Sequence, residues 1–330
     1  MRRIFRPFIK KSRRFRSPRS FQGEQKLFET SPTSSLDFAH QHQIFQHKPI
    51  LNKIVILIGC EYIQYNKEGL VDRLPGCHMD IKMIQKMLME HYSYNVNQFI
   101  ILSDENDTLL QPTRENILYT LTQATQRTDL ARIIIYYSGH GIRLKHNHDH
   151  TPKNNYDAAL LNYISNLSKI DGCIVPCDFI TAGFVRDTIF HSDFWIKIPI
   201  WTRVTAIFDC CNSGTIFDLP FRYTGHNKLQ KCHNTTQEKM SSVLPMVISI
   251  SGCKEDQQSA SVFDTSQHPD WEGCLSYVFR QVLKSHHYGP VGINIVMDEL
   301  CTMMKKLNYI QIPQLGLSRD VMPSSIIDIF

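Results

Sequence analysis

The sequence predicts an α/β sandwich with a mostly parallel central sheet, and three observations predict it. Two continuous apolar runs, Lys53–Ile58 and Ile133–Tyr137, have the pattern of strands buried on both faces. Stretches with helical periodicity lie between them, so strand and helix alternate along the chain. The second run stops abruptly at Ser138-Gly139-His140-Gly141, as a strand does where it meets a tight turn.

Taken in order, the first strand is Lys53–Ile58. Cys77, Ile81, Ile84 and Leu88, spaced 4, 3 and 4, then mark one face of a helix. Phe99–Leu102 is a short strand. Pro112-Thr113 opens a second helix through Ile117, Leu121 and Ala124, with Thr113 placed to cap it. Ile133–Tyr137 follows. Residues 142–170 are polar and rich in His, the composition of a surface excursion. Cys173–Pro176 and Val204–Phe208 read as strands, with a helix or turn region near Asp187–Ile196 between them. Residues 221–242 have no apolar period and read as an unstructured linker. Strand Val247–Ser251 precedes two amphipathic helices, one near Cys274–Leu283 and one through Val296, Leu300, Met303 and Leu307.

The organisation expected is therefore a basic flexible leader (1–50), a larger region (51–220), a linker (221–242) and a smaller region of the same domain (243–330). A chain of 330 residues buries enough surface to hold a core without disulfides or metal. Its longest apolar runs are strand-sized, which argues against a membrane-spanning helix. The net charge of +5 is unevenly placed: nine of the 36 Lys and Arg residues fall in the first twenty positions, where there is no acid. The remaining 27 face 31 acids, so the body is mildly acidic. The basic leader is open to several readings: a solvated arm, a nuclear address or a mitochondrial transit peptide, the last interrupted by Pro7 and Pro18. A nucleic-acid binder would rest on that leader alone and is not expected. Ten cysteines, scattered from Cys60 to Cys301 without paired CxxC spacing, fit free thiols in a reducing compartment and not a structural zinc site. A cytoplasmic monomer is expected.

Two motifs carry chemistry, each at the carboxyl end of a predicted strand, where open α/β sheets gather their ligands. One is Tyr137-Ser138-Gly139-His140-Gly141; the other is Phe208-Asp209-Cys210-Cys211-Asn212-Ser213-Gly214. A histidine between glycines and a cysteine before a Ser-Gly turn supply a base and a nucleophile, the minimum for thiol acyl transfer. The thiol needs that base because its pKa, near 8.5, leaves it mostly protonated at neutral pH. Spacing alone leaves a structural role for either residue open.

Together with further segments these motifs resemble the metacaspases, cysteine peptidases of the caspase-like clan. The resemblance rests on Tyr137–Gly141, Thr205–Gly214, Leu74-Pro-Gly-Cys-His-Met-Asp80, Asp171-Gly172 with Ile174-Val-Pro-Cys-Asp178, Ile250–Gln257 and Gln311-Ile-Pro-Gln-Leu315, in order over about residues 53–315. It implies a caspase-like α/β/α sandwich and cleavage of peptide bonds after Arg or Lys. By position it makes His140 the general base and Cys211 the nucleophile, with Cys210 a buried filler. The amides of Gly141 and Cys211 become the oxyanion donors. Asp80, Ser138 and Asp209 would line the pocket for the basic side chain, where two carboxylates match a desolvated guanidinium.

The same resemblance implies a calcium site, for which Asp157, Asp171 and Asp218 are the acids available, enough only for weak activation by Ca²⁺. Self-cleavage is expected in the linker, after Arg222, Lys228, Lys231 or Lys239. Asn212 stands where the family generally has His. That departure keeps a second reading open, a catalytically silent paralogue acting as a scaffold or aggregate-binding protein.

Overall fold

The computed structural model describes residues 52–71, 73–106, 108–145, 170–211, 216–217, 219–224, 228–231, 244–252, 261–263, 271–320 and 329–330. The basic leader lies outside them. Strands β1 (Asn52–Gly59), β2 (Phe99–Ser103), β3 (Leu130–Ser138), β7 (Arg203–Asp209) and β10 (Met246–Ser251) pair in parallel in the order β2-β1-β3-β7-β10. β13 (Gln314–Leu317), β8 (Phe221–Thr224) and β9 (Lys228–Lys231) extend this sheet antiparallel to eight strands.

The sheet divides the core into two layers because side chains alternate across it. Val55, Leu57, Ile134 and Tyr136 face one layer, built from α2 (Cys77–His91), α4 (Cys274–Ser285) and α5 (Ile293–Lys306). Ile54, Ile56, Ile58, Ile133, Ile135 and Tyr137 face the other, under α3 (Arg114–Thr125) and the helical stretch that carries Phe190, Phe194 and Trp195. Thr113 caps α3 as expected, its Oγ1 accepting the Asn116 amide at 3.2 Å.

Two expectations need correction. The excursion at 142–170 begins and ends in structure: β4 (Gly141–Lys145) pairs with β5 (Ile170–Ile174), and β5 with β6 (Val185–Arg186), as a separate antiparallel sheet. Composition pointed to a loop because Arg143 and Lys145 interrupt the apolar pattern. The linker at 221–242 also starts as a hairpin, with β8 against β13 and β9 against β8. Phe221 anchors it in the core at 2% exposure, but its main-chain pairing partner, Leu317, is distant in sequence and invisible to local periodicity. Arg222, Lys228 and Lys231 therefore lie on paired strands; Lys239 is outside the described residues. A short hairpin of β11 (Ser261–Phe263) and β12 (Trp271–Gly273) was also unforeseen, as was α1 (Ile63–Lys67).

Candidate active site

β3 and β7 are neighbours in register, and their last paired residues are Ser138 and Asp209. His140 and Cys211 each lie two positions beyond that pair, so the two motifs leave the sheet side by side at its carboxyl edge. The alternation of β7 explains which cysteine is available. Phe208 and Cys210 join the core layer beneath α3, with Cys210 only 1% exposed, whereas Cys211 is half-buried.

Contact between the motifs is close. A Cβ placed on Gly141 would come within 2.0 Å of the Cys211 carbonyl oxygen and 3.0 Å of the Cys210 sulfur. Only glycine fits there, which fixes the His loop against the Cys loop. His140 is half-buried, and that burial lowers its pKa from the usual 6.5, favouring the neutral imidazole. Among the described residues no hydrogen bond reaches its ring. Its face is covered instead by the Tyr62 ring, stacked with centroids 4.8 Å apart and planes 27° apart.

Asp80, Ser138 and Asp209 are brought together by α2, β3 and β7. Asp80, in the first turn of α2, is 1% exposed; its Oδ2 accepts the Ser138 hydroxyl at 2.6 Å and its Oδ1 the Gly273 amide at 2.7 Å. Asp209, 5% exposed, accepts both the Ser276 amide at 2.9 Å and the Ser276 hydroxyl at 2.7 Å through Oδ2. Burial, and then the neighbouring Asp209, push the Asp80 carboxyl well above its usual pKa of 3.8. The sequence reading missed Gly273 and Ser276. A Cβ on Gly273 would lie 2.2 Å from Asp209 Oδ2 and 2.8 Å from Asp80 Oδ2, so this glycine is wedged between the two carboxylates. A Gly directly before an amphipathic helix was the signal for it. A third buried acid, Glu272, is held by the Arg280 guanidinium, with Nε at 2.9 Å from Oε1.

Of the three acids assigned to calcium, only Asp171 lies among the described residues. Asp157 and Asp218 lie outside the described residues. Asp171, on β5 and 2% exposed, has its Oδ2 on Arg186 Nη1 of β6 at 2.7 Å. An ion taking that oxygen would have to displace the guanidinium. Among the described residues no group of three or more His, Cys, Asp or Glu side chains could hold a metal ion. Nor is any helix among them long and apolar enough to cross a membrane.

Comparison with known proteins gives this geometry a context. The family described as metacaspase, peptidase C14 domain, matches residues 53–220. Metacaspase-2 of Trypanosoma brucei brucei is 28% identical over 293 residues, covering 86% of this chain and 78% of its own length. Metacaspase-1 of Cryptococcus neoformans is 30% identical over 314 residues, covering 81% and 62%. A protein named inactive metacaspase-4, again from Trypanosoma brucei brucei, is 26% identical over 273 residues, covering 79% and 71%. Among solved structures, a protein from Geobacter sulfurreducens superposes with a TM-score of 0.52 at 15% identity, over 83% of this chain and 96% of that one. That likeness concerns the fold alone.

Proposed function

The chain belongs to the metacaspase family of cysteine-type peptidases, and from that premise we propose that it cleaves proteins after Arg or Lys by a Cys211–His140 dyad. The observation that carries the reading is the shared register of β3 and β7, which puts His140 and Cys211 each two residues past the Ser138–Asp209 pair.

The neutral His140 imidazole takes the proton of the Cys211 thiol, and the sulfur attacks the substrate carbonyl carbon. Negative charge then moves to the carbonyl oxygen, for which the amides of Cys211 and Gly141 are assigned as donors. Collapse of this tetrahedral intermediate breaks the C–N bond, with His140 giving its proton to the departing amine. A thioester to Cys211 remains. Water, deprotonated by His140, attacks that thioester, releases the acid and returns the proton to sulfur.

Specificity is assigned to Asp80, Ser138 and Asp209. Two carboxylates held beneath β12 and α4 present a field that a guanidinium or ammonium satisfies and a carboxylate side chain does not. The measurement that tests the whole reading is hydrolysis of fluorogenic peptides ending in Arg, Lys or Asp by purified protein. Turnover of the Arg and Lys peptides, lost in Cys211→Ala, is the expected result.

A relative named as inactive favours one alternative, a silent scaffold. No turnover of any peptide by folded wild type, across pH and calcium, is the result that selects it.

A further inference from the structure

The segment leaving β1 has a backbone conformation that its residue type does not favour. Tyr62 adopts φ 58° and ψ 38°, the left-handed region, which is rare for a bulky side chain. Four other described non-glycine residues have positive φ: Ser93, His287, Tyr288 and Asn308. Each of those follows the last turn of a helix, where left-handed geometry is routine. Tyr62 precedes a helix, so that explanation does not apply to it.

One carboxylate holds the strained residue from both sides. Asp104, just past β2, accepts the Glu61 amide at 2.9 Å through Oδ1 and the Ile63 amide at 3.2 Å through Oδ2. His78 Nε2 lies 2.6 Å from the same Oδ1. Glu61, 2% exposed, braces the loop further, its Oε1 accepting the amides of Gly76 at 3.0 Å and His78 at 3.3 Å. Glu61 after β1, His78 of α2 and Asp104 past β2 are thus three ionisable groups buried around one residue, a costly arrangement that their mutual pairing offsets.

What they fix is the setting of His140. The Tyr62 hydroxyl accepts the His140 amide at 2.8 Å and donates to the Val175 carbonyl at 2.9 Å. From the other side, the Tyr137 hydroxyl and the Val175 amide reach the His140 carbonyl at 2.7 and 3.2 Å. Both main-chain groups of the histidine are thus held, and the Tyr62 ring stacks at a tilt on its imidazole. Thiol dyads ordinarily orient the base through a third group that hydrogen-bonds its far nitrogen. Among the described residues no side chain does so here.

We propose that Tyr62 is the positioning residue for His140, orienting the imidazole by its ring face and anchoring its backbone by its hydroxyl, with Asp104 and His78 holding Tyr62 in the left-handed conformation that allows this. The proposal rests on the reading of His140 as the general base. The ring restricts the imidazole to rotations that keep the two faces stacked, and its electron-rich face favours the imidazolium formed once the thiol has given up its proton. Burial raises the phenol's own pKa, so Tyr62 remains a neutral partner throughout.

The test uses the full chain with ¹³C-labelled histidine rings and Tyr62→Leu, Tyr62→Phe, Asp104→Asn and His140→Ala variants, the last to assign the resonance. A ring stacked on the imidazole shields its Cε1–H, so Tyr62→Leu should move that signal downfield and Tyr62→Phe should not. Tyr62→Leu should lower kcat about tenfold or more at nearly unchanged KM, and Tyr62→Phe should lose less. Asp104→Asn keeps the ring but loosens its tether; a smaller fall in kcat with a partial shift of the same signal is expected, and this variant serves if Tyr62→Leu does not fold. An unmoved His140 resonance, or wild-type kcat in a Tyr62→Leu protein while His140→Ala is inactive, would overturn the positioning role alone. A His140→Ala protein as active as wild type would refute the base assignment itself, and the positioning role with it.

Discussion

Gly141 lies so close to Cys211 that a single added carbon would sit 2.0 Å from the cysteine's carbonyl oxygen. This contact ties the two chemical motifs together more directly than their strands do, because it fixes the turn after β3 against the turn after β7. It also ranks the neighbouring cysteines. Cys210 points into the core with its sulfur 3.0 Å from that same added carbon, and Cys211 occupies the half-exposed edge.

The first prediction follows from that ranking. Cys211→Ala and His140→Ala should each abolish peptide hydrolysis, while Cys210→Ala should keep most of it at a stability cost of about 1–2 kcal/mol for a small buried side chain. Gly141→Ala should lose activity without touching either reacting group, since the cysteine turn must shift. Steady-state rates with matched melting curves separate the cases. An active Cys211→Ala protein alongside a dead Cys210→Ala would reverse the assignment.

Much of this site was legible in the sequence because both motifs are short, contiguous and placed at strand ends. Local reading singled out Tyr137–Gly141 and Phe208–Gly214, and the resemblance over the wider chain assigned their roles. Gly273 and Ser276 were not legible, since their roles exist only through contact with acids 193 and 67 residues away in sequence. Tyr62 escaped for the same reason: its register against His140 depends on Asp104, a residue from another strand end. The hairpin at 221–231 was missed because a sheet-edge strand is defined by its pairing partner, not by its own composition.

The second prediction concerns charge. Asp80→Asn or Asp209→Asn should raise the barrier for Arg peptides by about 2–5 kcal/mol, through a buried cation left without its partner. The raised pKa of Asp80 adds a pH signature. Its folded value lies above the unfolded one, so the folded state retains a proton that the unfolded state releases. Stability contributed by this group is therefore present at pH below 3.8 and is lost as pH rises through the folded pKa. A bound guanidinium drives that proton off, so Arg-peptide affinity should strengthen over the same rise. Asp80→Asn should flatten both trends and raise the melting temperature at neutral pH while weakening binding. Faster cleavage after Asp than after Arg by wild type would defeat the assignment.

Self-processing gives a third prediction. Arg222, Lys228 and Lys231 are paired in β8 and β9, whereas proteolytic nicks favour exposed, unpaired chain. New termini in active preparations are expected after Lys239 and not after those three. Mass spectrometry of intact and digested protein reads this directly. Termini after Arg222 or Lys231 in otherwise folded material would mean that the hairpin opens in solution.

The last prediction is about calcium, and it turns on Arg186. Calcium takes six to eight oxygen ligands, and its affinity rises with the number of carboxylates. Asp171 already spends one oxygen on the Arg186 guanidinium at 2.7 Å, in an antiparallel sheet where β6 holds the arginine beside it. The arginine is about one-third exposed and the aspartate nearly buried, so the pair is only partly screened by solvent. An ion that takes the same oxygen must therefore displace a positive charge. Wild-type activity should be nearly indifferent to EDTA and respond to calcium only in the millimolar range, about 10⁻³ M, as sites with few carboxylates do. Arg186→Gln removes the competing cation while keeping a polar side chain, so its half-maximal calcium concentration should fall about tenfold or more. Calorimetric titration of both proteins, beside their rates, distinguishes binding from activation. Micromolar calcium dependence in wild type, unchanged in Arg186→Gln, would show that the ion binds elsewhere and that the ion pair at Asp171 has no part in it.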